Sequence, residues 1–429
     1  MVSTESPMVA DRQLASFGAP AMAAPPCLVC GRPGLEVFLD LGSTPLANAF
    51  RLPGEAGEDP TYPLRIARCP HCHHVQLEGS VPPERMFSDY LYVSSYSETL
   101  VAHLDSLAAA ITSRRHLGKN DLAVDIGSND GTLLAALARR GVRTAGVEPA
   151  RNLATLARSR GIETECCYFD RFAAQKIRQA YGPAMVVTAT NSFPHIQDLD
   201  EYLRALDLLL DPRGVFVAEA HYLADMLGQT AFDTIYHEHV SYWSLGPMKD
   251  LFERHGFTIF DVERLPIHHG QLRVWAGRTG AVSVRDSVER LLAAEREAGF
   301  ASHLPFVRFA ERTAKIRSSL GRLLGDLRAG GATVAGYGAP AKATTLVSYL
   351  GLGPETIRYV ADRSPLKQGR LVPGARIPIV SPERLLEDRP DFVLILAWNF
   401  VDEIVAQLDA YRRAGGRFIV PVPEARILD

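Results

Sequence analysis

Residues 122 to 139 place the tightest constraint on the fold. Leu122 to Ile126 is an apolar run of the length of a buried strand, Gly127 to Gly131 holds two glycines among small polar residues, and Thr132 to Arg139 carries apolar residues at helical spacing. A strand that turns at once into a helix needs backbone freedom, which glycine supplies. A second strand, Thr144 to Glu148, follows, and the alternation continues through Met185 to Thr190 and Gly214 to Ala220. The middle of the chain is therefore expected to be a βαβ-type parallel sheet. A second unit of the same kind begins at Ala332-Thr333-Val334-Ala335-Gly336-Tyr337-Gly338, with strands at Ile357 to Asp362 and Phe392 to Trp398. Leu100, Leu104, Leu107 and Ile111 predict a helix over Tyr96 to His116, and Val284 to Leu327 is helical in pattern.

A chain of 429 residues exceeds the size of one hydrophobic core, so two or three domains are expected. Ahead of the first sheet lie two Cys-x-x-Cys pairs, Cys27 with Cys30 and Cys69 with Cys72, separated by a stretch rich in Gly and Pro that reads as loops needing a staple. Four thiolates so spaced suit the tetrahedron of a structural zinc ion, and a closed four-coordinate site leaves no position for substrate. His71, His73 and His74 flank the second pair and are candidate substitutes as ligands. Cys166 and Cys167 read as unpaired buried thiols.

Composition excludes some functions. With 46 basic and 49 acidic residues the net charge is -3, so no general electrostatic footprint for nucleic acid exists. No run approaches the ~18 apolar residues that span a bilayer. Pro20, Pro25 and Pro26 break any apolar leader and Glu5 stands where a signal peptide would be basic, so the first residues read as a loose tail and the cytoplasm as the default location.

Asp125-Ile126-Gly127-Ser128-Asn129-Asp130-Gly131 is not the three-glycine fingerprint of dinucleotide sites, because polar side chains fill the gap between its glycines. Alone, such a turn also suits any tight βα connection. It resembles the first motif of class I S-adenosylmethionine-dependent methyltransferases, in which an acidic residue ending the second strand receives the ribose hydroxyls. Glu148 stands in that place.

Tyr236-His237-Glu238-His239 puts three titratable groups and a phenol within four residues. Ser241 stands where a zincin would need a second histidine, which removes a protease reading, while a metal-binding His-x-His pair stays open. Methylation of carbon requires removal of a proton from that carbon. Histidine titrates near working pH and suits that role, and Glu238 is a candidate to orient it or raise its basicity.

With these residues, the chain resembles the sugar C-methyltransferases that act on keto-deoxysugar nucleotides, notably the C-3 methyltransferases of antibiotic deoxysugar pathways. The likeness covers nearly the full length. It rests on the cysteine pairs, Pro45 to Phe50, Tyr90 to Ser97, Asp125 to Gly131, Tyr236 to His239, Gly336 to Lys342, Asp362 with Pro365 to Gly369, and Ala397 to Phe400.

The fold it implies is α/β: an N-terminal zinc-binding module (25–88) after a tail (1–24), a central class I methyltransferase Rossmann-like domain (89–276) and a C-terminal second Rossmann-like domain (277–429). The resemblance makes S-adenosylmethionine the donor, zinc a structural ion and a dTDP-linked 4-keto sugar the acceptor, with neither nucleic acid nor membrane as partner. It makes His239 the base, with Tyr92, His195, Tyr236 and Glu238 lining the reacting carbon. His195 follows the fourth strand and is placed to hydrogen-bond the C-4 oxygen as it becomes an enolate. Asp125, Gly127, Ser128, Asn129, Gly131, Glu148 and Asn191 are then the donor contacts. Tyr90, Tyr337, Lys342, Lys367, Gln368 and Asn399 are the acceptor contacts, with the Gly-x-Gly turn before Lys342 able to offer amides to a pyrophosphate, although that turn also suits a connection without ligand.

Two stretches depart from the family pattern near the expected sugar pocket: His268-His269-Gly270-Gln271-Leu272-Arg273, expected closer to His-Gly-Gly-Ser-Leu-Arg, and Phe193-Pro194 in place of smaller residues. The alternatives carried forward are a zinc-module RNA methyltransferase and a non-catalytic nucleotide-sugar-binding homologue.

Overall fold

The computed structural model describes residues 25–428 apart from 56, 268 and 269, so the tail over 1–24 and His268 and His269 lie outside the described residues. Three sheets organise the chain. The central one has seven strands in the spatial order Phe257–Leu265, Gln271–Arg278, Leu210–His221, Ala184–Thr190, Leu122–Ile126, Arg143–Val147, Thr164–Glu165. From Leu210–His221 to Thr164–Glu165 its pairings are parallel, and Gln271–Arg278 and Phe257–Leu265 add an antiparallel hairpin at one edge. Helices cover the parallel strands on both faces, which is why a strand such as Leu122–Ile126 is buried at every position. Ile126, Val147, Thr190 and His221 end their strands at one edge, where open α/β sheets take ligands.

The C-terminal sheet has six strands in the order Ile379–Val380, Val360–Ala361, Val334–Tyr337, Phe392–Ile395, Arg417–Val420, Arg426–Leu428, all parallel but the last. Gly338 makes the turn into helix Ala341–Leu350. The stretch of helical pattern forms two helices, Asp286–Ala298 and Leu304–Ala329, parted by Gly299 in the left-handed conformation. The first packs on the central domain through Val288, Leu291 and Leu292. The second buries Phe306, Phe309, Thr313, Ile316, Leu320 and Leu324, a helical stripe that joins the N-terminal and C-terminal sheets in one core.

The segment between the cysteine pairs is a sheet and not a run of loops. Glu36–Pro45 pairs with Thr61–Arg68, which pairs with Val75–Leu77. Leu64 and Ile66 alternate into the core, Gly42 sits at an irregular pair, and Pro45 and Pro63 lie within the strands, paired with Thr61 and Ser43. The fourth strand, Ser241–Tyr242, comes from far along the sequence and pairs with Val75 and Gln76. That closure anchors the run 236–239 between the N-terminal sheet and the carboxyl edge of the central one. Cys166 is exposed and Cys167 half-buried beside an edge strand, which corrects the expectation of two buried thiols. Among the described residues no helix is long and apolar enough to cross a membrane.

Candidate active site

Phe232–Thr234 forms a single 3-10 turn, and the chain then reverses through Tyr236 to His239, closed by the His239 N–H donating to the Tyr236 carbonyl at 2.9 Å. The first and last side chains of such a turn lie side by side. The Tyr236 hydroxyl meets His239 Nε2 at 2.8 Å, and His239 Nδ1 meets the Thr234 carbonyl oxygen at 2.8 Å. A carbonyl only accepts, so Nδ1 carries the proton and Nε2 presents its lone pair to the phenol. Burial pushes the His239 imidazole down to about 3, with His195 adding and the Thr234 carbonyl opposing, so it is neutral at working pH.

Glu238 does not orient His239, contrary to the sequence expectation. Successive turn residues point apart, and its carboxylate takes Asn48 Nδ2 at 2.7 Å and the Tyr90 hydroxyl at 2.6 Å. Burial pushes its acid up to about 7 against those bonds and the nearby Lys367. His237 turns the other way again, its Nε2 3.3 Å from the carbonyl oxygens of both Tyr62 and Pro63. A His237–His239 metal pair is thereby excluded by direction.

His195 ends a 3-10 turn after strand Ala184–Thr190. Its ring stacks between those of Phe87 and His239, 5.3 Å from each, and burial pushes it down to about 3. His221, not singled out by sequence, ends the neighbouring strand with its ring 4.9 Å from His239. Three imidazoles thus meet at the carboxyl edge. Tyr90 and Tyr92 stand on a strap running from Tyr90 to Tyr96, with Tyr90 meeting Glu238 and both phenols near that of Tyr236. Tyr92 remains 38% exposed, its phenol pushed up to about 12 by the protein around it and by Asp130.

At the donor loop, Gly127 and Gly131 have φ of 71° and 78°. A Cβ on Gly127 would lie 2.5 Å from Ser192 Cβ. Glu148 accepts the backbone N–H groups of Asn129 and Ala150, each at 2.8 Å, which fixes a buried carboxylate beside the glycine turn. A carboxylate so placed suits the ribose diol of the expected donor. Other expected donor contacts face elsewhere. Asp125 accepts the Thr188 hydroxyl inside the sheet at 2.6 Å, and the Ser128 side chain sits over Gly146, where a Cβ would come within 2.5 Å of its hydroxyl. The Asn129 side chain holds the strap, and Asn191 accepts from Gln271 Nε2 at 2.5 Å.

The C-terminal unit reaches the same region through helix Ala341–Leu350, whose Thr344 and Thr345 hydroxyls donate to the carbonyls of Ala47 and Ile235 at 2.9 Å. Lys342 donates to Asn399, lies 4.7 Å over the Trp398 ring and is pulled down to about 8 by burial, with Asp233 opposing. Asp233, missed by sequence reading, takes the Trp398 indole N–H at 2.6 Å. Lys367 donates to the Ala339 carbonyl at 2.8 Å and faces Glu238. Gln368 donates to the Asp362 carbonyl at 2.9 Å. Tyr337 lies apart from these, in a separate apolar cluster with Tyr411 and Phe418. Phe193 also belongs to a core, stacked 5.0 Å from Trp243, so the departure from the family pattern at Phe193 is one of packing.

The four zinc-module sulfurs lie within 4.8 Å of one another, with Cys27 and Cys72 at 3.5 Å and Cys30 and Cys69 at 3.6 Å. Zn–S bonds of ~2.3 Å in a tetrahedron put sulfurs ~3.8 Å apart, so the set fits a zinc ion. His73 contacts Arg68 and His74 contacts Ser241, leaving the all-cysteine site as expected.

Family models match three consecutive parts of the chain: a zinc binding domain over 27–87, a methyltransferase domain over 101–262 and a C-methyltransferase C-terminal domain over 266–423. The C-methyltransferase NovU of Streptomyces niveus is 40% identical over 404 residues, spanning 94% of this chain and 96% of its own length. Among solved structures, magnesium protoporphyrin IX methyltransferase (ChlM) of Synechocystis PCC 6803 with bound SAH overlays 42% of this chain and 83% of its own, with a TM-score of 0.34 at 15% identity. An S-adenosylmethionine-dependent methyltransferase of Clostridium acetobutylicum ATCC 824 overlays 41% and 91%, with a TM-score of 0.33 at 14% identity.

Proposed function

Because this chain belongs to the S-adenosylmethionine-dependent C-methyltransferases, we propose that in the cytoplasm it methylates C-3 of a dTDP-linked 4-keto-deoxysugar through an enolate. The observation that carries this reading is His239: a buried, neutral imidazole with its tautomer set by Thr234, beside His221 at the carboxyl edge of the donor sheet. A methyltransferase acting on oxygen has less need of a base so placed, because only carbon must first lose a poorly acidic proton.

S-adenosylmethionine supplies an electrophilic methyl group, with Glu148 receiving its ribose hydroxyls. The 4-ketone acidifies the adjacent C–H, His239 Nε2 takes that proton after Tyr236 yields its place, and a neutral His195 N–H donates to the oxygen that becomes the enolate. The enolate carbon would form its bond to the methyl as the S–CH3 bond breaks and S-adenosylhomocysteine leaves as a neutral thioether, and the imidazolium would return its proton to solvent. Lys342, Lys367, Gln368 and Asn399 line the C-terminal side on which the nucleotide end would lie, whereas the packing of Tyr337 argues against direct contact.

The test is incubation with methyl-labelled donor and a panel of 4-keto sugar nucleotides. Label at C-3 is the expected result. Label at C-5, also acidified by the ketone, would move the carbon, and label in RNA or in no product would overturn the proposal.

A further inference from the structure

The strap is tied to the donor loop by side-chain amides acting as surrogate strand partners. Asn152 Oδ1 accepts from the Tyr90 N–H at 3.0 Å while its Nδ2 donates to the Tyr90 carbonyl at 2.8 Å. Asn129 Oδ1 accepts from the Ser94 N–H at 2.9 Å while its Nδ2 donates to the Tyr92 carbonyl at 3.0 Å. A third tie joins the Ser95 N–H and hydroxyl to Asp130 and Arg160 at 3.2 and 3.0 Å. The two amides stand on the two segments that Glu148 holds together, through the N–H groups of Asn129 and Ala150. Asn129 has a φ of 53°, so its backbone is held in a conformation that Asn tolerates better than most residues. At the other side of the strap, Tyr90 reaches Glu238 in the catalytic turn.

We infer that Asn129 and Asn152 are positioning residues that clip the tyrosine strap over the donor loop, so that a donor seated at Glu148 sets the placement of Tyr90 and Tyr92 at the reacting carbon. Both amides are taken up by the strap's backbone. Their effect passes through the strap, so donor affinity and turnover separate when they are removed. The inference rests on Glu148 receiving the donor's ribose, and a Glu148→Ala chain that still bound S-adenosylhomocysteine with full affinity would refute that premise and not the clip.

The experiment compares wild type, Asn152→Ala and Asn129→Gly, the last keeping the positive φ. S-adenosylhomocysteine binding by calorimetry is expected to change by less than about 3-fold, while turnover falls about 10- to 100-fold, as expected for lost orientation. In wild type S-adenosylhomocysteine should slow amide exchange at Tyr90 and Ser94, and in either variant that protection should vanish. The inference is overturned if turnover is unchanged, if donor affinity falls by the same factor as turnover, or if both amides stay protected in the variants.

Discussion

Gly127→Ala tests the donor loop at the point where its backbone is most crowded. An L residue held at the Gly127 φ of 71° costs about 1–2 kcal/mol. Its methyl would also stand 2.5 Å from Ser192 Cβ and 3.1 Å from Ser192 Oγ. Ser192 has little freedom to retreat, since its hydroxyl donates to the Ile126 carbonyl at 2.5 Å, a bond whose loss costs roughly 1 kcal/mol. With overpacking of about 1–3 kcal/mol, the substitution should destabilise the chain by roughly 3–6 kcal/mol. Urea unfolding gives that figure, and calorimetry with S-adenosylhomocysteine reports whether the loop still seats a donor. Ser192→Gly removes the obstructing atoms, so in that background the same change should cost only the backbone part, about 1–2 kcal/mol. An equal cost in both backgrounds would refute the close approach as the reason for glycine at 127.

Three further outcomes follow from the site. His239→Asn should bind S-adenosylhomocysteine as wild type does and turn over about 100-fold or more slowly, and normal-rate deuterium exchange at the acceptor carbon in that variant would transfer the base role to another group. Metal analysis should find one zinc ion per wild-type chain and none after Cys69→Ser with Cys72→Ser, with a lowered melting temperature; an unchanged melting temperature would deny the ion its structural role. Asp125, pushed from 3.8 up to about 7 by burial, stabilises the fold when protonated, so its contribution is full below pH 4 and is lost as pH rises to about 7. Asp125→Asn should therefore gain on wild type between pH 4 and 7 by several degrees in melting temperature, on the order of a few kcal/mol, whereas parallel curves would deny the shift.

Local signals made the central domain legible. Leu122–Ile126 and Thr132–Arg139 lie where the apolar run and the helical spacing put them, because the glycine turn between them leaves little choice. The N-terminal sheet was hidden because bulges at Val37/Leu39 and Asp40/Ser43 break the period-two pattern, and because its fourth strand is two residues supplied from position 241. The site divided in the same way. His195, Tyr236 and His239 could be picked out as types and are brought together, whereas Asn48 meets Glu238 across 190 residues, Asp233 meets Trp398 across 165, and nothing local marks either pair. His221 carried a usable signal, an imidazole at the carboxyl end of a buried strand.

The separation of Glu238 from His239 bears on the chemistry. A carboxylate beside the imidazole would raise its pKa, and near 7 a large share of molecules would then carry an imidazolium unable to accept a proton. The Thr234 carbonyl orients the ring without a charge, and burial keeps Nε2 unprotonated far below the ordinary histidine range. Such an imidazole is a weak base when considered alone. In the proposed reaction, however, removal of a proton from carbon would create the imidazolium and the enolate together, and in a site this buried their mutual attraction would offset much of the burial penalty that each would meet singly. In that reaction His195, also neutral and stacked 5.3 Å away, would supply an N–H for the enolate without placing a second cation against the first. Under the proposed mechanism His195 and His239 would therefore stay uncharged until the substrate is present, and charge would appear on them only as part of a pair.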